Sequence, residues 1–232
     1  MITLENISKS YSGNKALRNI SLTIPRNSVT GILGPNGAGK STLIKIITGF
    51  EFPDSGKVYI ENLPVTNFKQ RKNHISYLPE KLSIYPEYFV MEFLNFYHSA
   101  IESENGELLE ILSLKKIFSK KIKHLSKGWY QRLKLYVALC STKPIIVLDE
   151  PFEGFDPLQM RDIARLFKSE KAEKHLFLLS IHQLSYAEKI CDYFVFLNEG
   201  KLVAEGSFER LSRRFSAASN NLEEIFVKVL EK

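Results

Sequence analysis

Eight residues, Gly34-Pro35-Asn36-Gly37-Ala38-Gly39-Lys40-Ser41, place the narrowest limit on what this chain can become. They satisfy the spacing G-x-x-x-x-G-K-[ST], in which glycines let main-chain N–H groups converge on phosphate oxygens that side chains would block. An apolar strand-like run, 29–33, precedes them, and the helical stretch 40–48 follows, with Gly49 as a C-cap. A helix opening there aims its partially positive N-terminus at the same anion. Lys40 supplies a mobile charge for the outer phosphates, and the Ser41 hydroxyl suits Mg²⁺. A glycine turn with only structural use fits this context poorly.

A second element points the same way. Residues 145–150, Ile-Ile-Val-Leu-Asp-Glu, form an apolar strand ending in two carboxylates. Asp149 can hold Mg²⁺, and Glu150 can polarise a water as general base. Taken alone, Asp149 before Pro151 also reads as a helix cap. Together the two motifs mark a P-loop NTPase.

The remaining chain alternates strand-like and helix-like segments. Residues 2–11 and 16–25 read as strands of an antiparallel layer with one wet face. Residues 56–65 and 74–80 read as one strand each, 174–182 as a buried parallel strand, and 193–206 as a hairpin turning at Glu199-Gly200. Segment 83–142 carries helical periodicity and no convincing strand, with Pro86 and Glu87 placed for a helix start. A short helix near 207–215, a polar link over 216–221 and an amphipathic piece over 222–232 close the chain.

Composition excludes several classes. With 44% hydrophobic and 25% charged residues, the chain has globular proportions. Its longest runs without Asp, Glu, Lys or Arg, 27–39 and 175–187, are too short and too polar to span a bilayer. No signal peptide is evident, and Cys140 and Cys191 read as buried thiols in a reducing cytoplasm. The net charge of +6 suggests anionic partners without choosing among them.

Leu125-Ser126-Lys127-Gly128-Trp129, followed by Tyr130-Gln131-Arg132-Leu133, resembles the signature motif of ATP-binding cassette (ABC) ATPases. The resemblance runs along nearly the whole chain in the family's order. Tyr11 ahead of Ala16-Leu17 matches the aromatic that stacks on adenine, 34–41 the Walker A loop, and Asp149-Glu150 the end of Walker B. Gly154-Phe155-Asp156 resembles the D-loop, and His182 the switch histidine. It implies an α/β fold: a single unit over 1–232, with a RecA-like parallel core and an antiparallel β layer over 1–82 and 143–210. An inserted all-helical subdomain spans 83–142, and a tail 211–232.

The resemblance also implies an ATPase using ATP and Mg²⁺. Catalytic work falls to Glu150, His182 and Lys40; the nucleotide meets Tyr11, residues Gly34 to Ser41, Thr42 and Glu80; Ser41, Asp149 and Glu80 face the metal. Ser126, Lys127 and Gly128 would clamp the γ-phosphate held by a second subunit in a head-to-tail dimer, which Asp156 contacts. Local alternatives stand beside these roles: LSKG is also an ordinary N-cap, Asp156 a helix cap, Tyr11 core packing, and His182 structural. Two positions depart from the family. Glu80 stands where most members carry glutamine, which adds charge and removes a donor, and Lys127 stands at a glycine of the signature.

Coupling needs a partner. Phe89, Phe93, Phe96 and Tyr97 follow helical spacing and read mostly as core, whereas Tyr85 and Tyr88 lie where the family receives a membrane subunit. Lysines 115, 116, 120, 121, 123 and 127 read as a solvated face. The resemblance implies an exporter-type ATPase subunit, homodimeric in the family's manner, peripheral on the inner face of the cell membrane, with a separate integral membrane permease and no nucleic acid. The alternative is a soluble ABC protein acting on ribosomes or DNA.

Overall fold

The computed structural model describes residues 1–101, 104–168, 174–215 and 221–230. Two sheets organise them. One is antiparallel, in the order β2-β1-β4-β5: β1 is Ile2–Tyr11, β2 Asn14–Ile24, β4 Ser55–Ile60 and β5 Leu63–Pro64. The other has the order β10-β9-β3-β8-β7-β6: β3 is Val29–Leu33, β6 Ile75–Leu78, β7 Ile145–Asp149, β8 Leu176–Ser180, β9 Tyr193–Asn198 and β10 Lys201–Gly206. Within it β6, β7, β8, β3 and β9 run parallel, and β10 closes one edge as the antiparallel arm of the β9–β10 hairpin.

The parallel strands are buried on both faces, so their side chains divide with the two-residue period of a strand. Ile145, Val147, Leu176, Leu178, Val195 and Leu197 join one core with helix α1 (Lys40–Thr48) and the antiparallel sheet. Ile146, Leu148, Phe177, Leu179, Phe194 and Phe196 join a second core, lined by the helical segment. That segment holds α3 (Val90–Ile101), α4 (Gly106–Ile111), two 3₁₀ turns at Leu114–Ile117 and Ile122–His124, and α5 (Lys127–Leu139); α2 (Phe68–His74) precedes it. The second core continues into α6 (Pro157–Phe167), α7 (Leu184–Ile190), α8 (Phe208–Phe215) and α9 (Leu222–Leu230). Cys140 and Cys191 are buried and form no disulfide.

Several local expectations change. The strand read at 56–65 is a hairpin, because Glu61 and Asn62 both adopt positive φ and turn β4 into β5. Helix α2 had not been expected; Asn67 caps it by accepting the Gln70 N–H at 2.9 Å. Helix α3 opens at Val90, not at Pro86. Residues 86–91 spend their main-chain groups on 118–123 instead: Lys123 N–H donates to Pro86 O, Ile122 N–H to Tyr88 O, and Val90 N–H to Lys120 O. An antiparallel bridge, Phe89 to Lys121, therefore lies inside the segment expected to be purely helical. Phe93 and Tyr97 pack on the core, but Phe89 and Phe96 are exposed, so helical spacing overstated that core. The lysine face is also partly paired: Lys121 and Lys123 meet Glu87, and Lys115 meets Glu110. Residues 216–220 of the polar link lie outside the described residues.

The β9–β10 hairpin braces the glycine-rich loop from below. Gly200 N–H donates to Ala38 O at 3.1 Å, and Arg18 N–H donates to Gly200 O at 2.7 Å. The fit leaves no room for side chains: a Cβ on Gly39 would lie 2.7 Å from Ala16 O, and one on Gly200 2.6 Å from the same oxygen. Both glycines hold positive φ, 102° and 75°. We predict that Gly200→Ala costs about 2 kcal/mol of stability from the clash and the left-handed backbone. Urea denaturation checks this; an unchanged midpoint would contradict the bracing role.

Candidate functional site

Parallel pairing sets the ends of β3, β6, β7 and β8 along one edge of the sheet, where ligands of open α/β sheets bind. The glycine-rich loop leaves β3, Glu80 follows β6, Asp149 and Glu150 end β7, and Ser180 to His182 end β8. One cavity gathers Asn36 to Thr42 with Glu80, Glu150 and His182. An adjoining cavity is lined by Glu80, Glu150 and the 180–183 segment. The site residues nearest in space thus come from four separate stretches of sequence.

Lys40 is 6% exposed and folds back on the loop, its Nζ donating to Gly34 O at 2.8 Å and Pro35 O at 3.1 Å. Burial lowers its pKa, while Glu150 and Asp149 oppose that shift. Glu150 is pushed up to about 7, chiefly by burial, with Lys40 pulling down and the acids Asp149, Glu80 and Glu153 pushing up. Its Oε1 lies 2.8 Å from His182 Nε2. Burial, and then Lys40, lower the histidine's pKa. At neutral pH His182 is therefore uncharged, and its Nε2–H donates to the Glu150 carboxylate whenever that group is ionised.

Asp149 is 4% exposed and sits beside Ser180 by strand register. The Ser180 hydroxyl donates to Asp149 Oδ1 at 2.5 Å and accepts the Glu150 N–H at 2.9 Å. One hydroxyl thus orients both carboxylate residues, a role the sequence reading missed; the serine closing the apolar run 176–180 was its only signal. Burial raises the Asp149 pKa, with the Ser180 bond opposing. A cation beside it would offset that cost. The Ser41 hydroxyl and the Glu80 carboxylate line the loop cavity, whereas Asp149 does not, although its carboxyl is influenced by Glu80 and Lys40; all three offer oxygen, the donor type that suits Mg²⁺.

Tyr11 is half-exposed, with its hydroxyl in hydrogen-bonding reach of Thr42 and Glu51, and the Lys9 ammonium 5.3 Å from its ring centre. It lines neither cavity, and its exposure sets aside the core-packing alternative. Ser126, Lys127, Gly128 and Asp156 line neither cavity. Ser126 caps α5, accepting the Trp129 N–H at 3.5 Å, and Lys127 pairs with Glu153. Gly128 packs against Gly154, where a Cβ would stand 3.0 Å from Gly154 O. Asp156 caps α6 in a reciprocal box with Gln159, the local role the sequence allowed for it. Within one chain the signature and the loop are separate surfaces.

The sequence model of the ABC transporter family matches residues 17–153, more than half of the chain. The chain belongs to the ABC transporter family. It is similar to the lantibiotic transport ATP-binding protein SrtF of Streptococcus pyogenes, with 32% identity over 229 residues, 97% of this chain and 96% of SrtF. A solved ATP-binding subunit of an ABC transporter superposes with a TM-score of 0.87 at 28% identity, covering 99% of both chains. A dimeric post-hydrolysis state of the cassette MJ0796, bound to ADP and Pi, superposes at 0.75 with 26% identity, covering 89% of this chain and 98% of that one. The fold is that of the ABC cassette: a P-loop NTPase core, an antiparallel β layer and an inserted helical subdomain. The chain is an ATP-binding subunit and an ATPase. No helix among the described residues is long and apolar enough to cross a membrane.

Ser180→Ala in this ATPase strips a buried carboxylate of its donor and the Glu150 N–H of its acceptor. We expect a stability loss of about 1–3 kcal/mol by urea denaturation, together with slower hydrolysis. Wild-type behaviour in both would remove Ser180 from the site.

Proposed function

We propose that the chain is the energy-coupling subunit of an ABC exporter, dimerising head-to-tail around two ATP and driving a separate integral membrane permease. The observation that carries this reading is the separation of two complementary surfaces: the loop cavity with Glu80, Glu150 and His182 on one side, and the capped signature end of α5 on another. A half-site of this kind needs the signature of a second copy to enclose the phosphate. Tyr11 stacks on adenine, and Gly34 to Thr42 cradle the phosphates. Lys40 leaves the two loop carbonyls to meet the outer phosphates. Ser126, Lys127 and Gly128 then present a hydroxyl, an ammonium and an N–H to the γ-phosphate across the dimer, with Asp156 against the partner.

Ser41, Asp149 and Glu80 would hold Mg²⁺, whose charge would neutralise the phosphates. Glu150 takes a proton from the attacking water, aided by its raised pKa, and the neutral His182, whose one N–H faces Glu150 in the free chain, turns that donor to the γ-phosphate when ATP is bound. Residues 1–232 act as one unit, with 83–142 as the signature subdomain, 1–82 and 143–210 as core and β layer, and 211–232 as tail. Tyr85 and Tyr88, exposed and packed edge to face at 5.2 Å, supply the permease contact beside the 80–84 segment. Such a subunit sits on the cytoplasmic face of the cell membrane as a homodimer. Transport is also what the name of SrtF describes.

Glu150→Gln should bind ATP, accumulate as a dimer on size-exclusion chromatography, and hydrolyse at least about 100-fold more slowly. Hydrolysis at the wild-type rate would refute the base assignment. The base form of Glu150 is lost as pH falls through about 7. The wild-type kcat/KM should therefore drop about tenfold from pH 8 to pH 6, and a flat profile would contradict it. Purification from native membranes should bring down an integral membrane protein; ribosomes or DNA instead would overturn the transport reading.

A further inference from the structure

Helix α5 starts at the signature, and three of its side chains reach back to other parts of the site. Lys134 is 3% exposed; its Nζ donates to the main-chain oxygen of Glu80 at 2.7 Å and to Gln131 Oε1 at 3.2 Å. Gln131 is 6% exposed and donates through Nε2 to the main-chain oxygen of Glu150 at 3.1 Å. One turn earlier, the Tyr130 hydroxyl donates to Leu82 O at 2.5 Å and accepts the Ile84 N–H at 2.9 Å. A single helix thus pins both the 80–84 segment and the residue after β7.

Burying an ammonium is costly, and an apolar side chain of the same length would fill this space without that cost. Burial lowers the Lys134 pKa, while the acids Glu80, Glu153 and Asp149 support its charge. What the lysine contributes is donors, and they go to a carbonyl and an amide. Glu150 explains the need for such a clamp. It holds φ 51°, a left-handed backbone that a non-glycine residue keeps only when its surroundings fix it. Ser180 Oγ fixes its N–H side and Gln131 its C=O side, while Lys134 fixes Gln131.

We propose that Lys134 and Gln131 are positioning residues for ATP hydrolysis, forming a buried ammonium–amide strut that sets the Glu80 turn against the Glu150 main chain. The strut lines neither the loop cavity nor the adjoining one; it acts through where Glu150 and Glu80 stand. This rests on the assignment of Glu150 as the base. Small displacements at a reacting centre change rate more than affinity when the ground-state contacts lie elsewhere.

Steady-state ATPase kinetics on the full chain test it. Lys134→Met should lower kcat about tenfold with the ATP KM within about twofold, and Lys134→Arg should return kcat to within about threefold of wild type. Gln131→Met should lose rate in the same way. Because the two residues act in series, the double variant should be no more than about twofold slower than the slower single variant. Wild-type kcat in Lys134→Met, a KM that rises as far as kcat falls, or a double variant showing the product of the single losses would each overturn the strut. If Lys134→Met does not fold, Gln131→Met decides, and wild-type kcat there overturns the proposal. The two readings separate cleanly. Glu150→Gln at the wild-type rate sinks the base assignment, whereas inactive Glu150→Gln beside wild-type Lys134→Met sinks only the strut.

Discussion

The in-register pairing of β7 with β8 is the constraint on which the site depends. Asp149 and Ser180 are partners in that ladder, as are Leu148 and Leu179 one step before them. A strand's side chains alternate, so a slip of one residue would turn the whole row to the opposite face. Here the two apolar cores prevent it. Val147 and Leu178 must face α1 and the antiparallel sheet, and Leu148 and Leu179 must face the helical side. The packing of residues far from any phosphate therefore decides that a serine hydroxyl meets a carboxylate at the strand ends.

Burial also sets the electrostatics. Lys40 and His182 are pushed down and Asp149 and Glu150 pushed up, each with burial as the leading cause. Every one of these groups is moved towards its uncharged form, and each is held back by neighbours of opposite charge. A site of this kind is poised for a polyanion and a cation to arrive together, since they supply the charge that water no longer does. Lys40 makes the point locally. Its ammonium is satisfied by Gly34 O and Pro35 O, carbonyls of the same loop whose N–H groups suit a phosphate.

The helical segment is tied to this centre by polar contacts as well as by apolar packing. Its entry is an extended stretch bonded to 118–123, which explains why a proline and an acid at 86–87 do not open a helix. Its last helix returns with Tyr130, Gln131 and Lys134 directed at the 80–84 segment and at Glu150. Fully satisfied polar networks of this sort fix one geometry, because an unmade bond in the interior is costly.

Motif spacing singled out the loop, Asp149, Glu150 and His182, and strand order brings the loop, Glu150 and His182 to one cavity. The alternating and continuous apolar runs likewise announced an antiparallel layer and a buried parallel core, since each periodicity reports how many faces a strand hides. Less could be read where one residue type serves two ends. Helical spacing did not tell exposed Phe96 from packed Tyr97, and the run 56–65 did not show its turn as one. The sequence by itself determined the kind of chemistry and the class of fold, because both follow from residue type and local period. Only the tertiary structure decided that Ser180 orients two carboxylates, that Gly200 braces the loop, and that Lys134 reaches Glu80. Those contacts join segments dozens of residues apart, and strand order and register, which no local pattern encodes, bring them together.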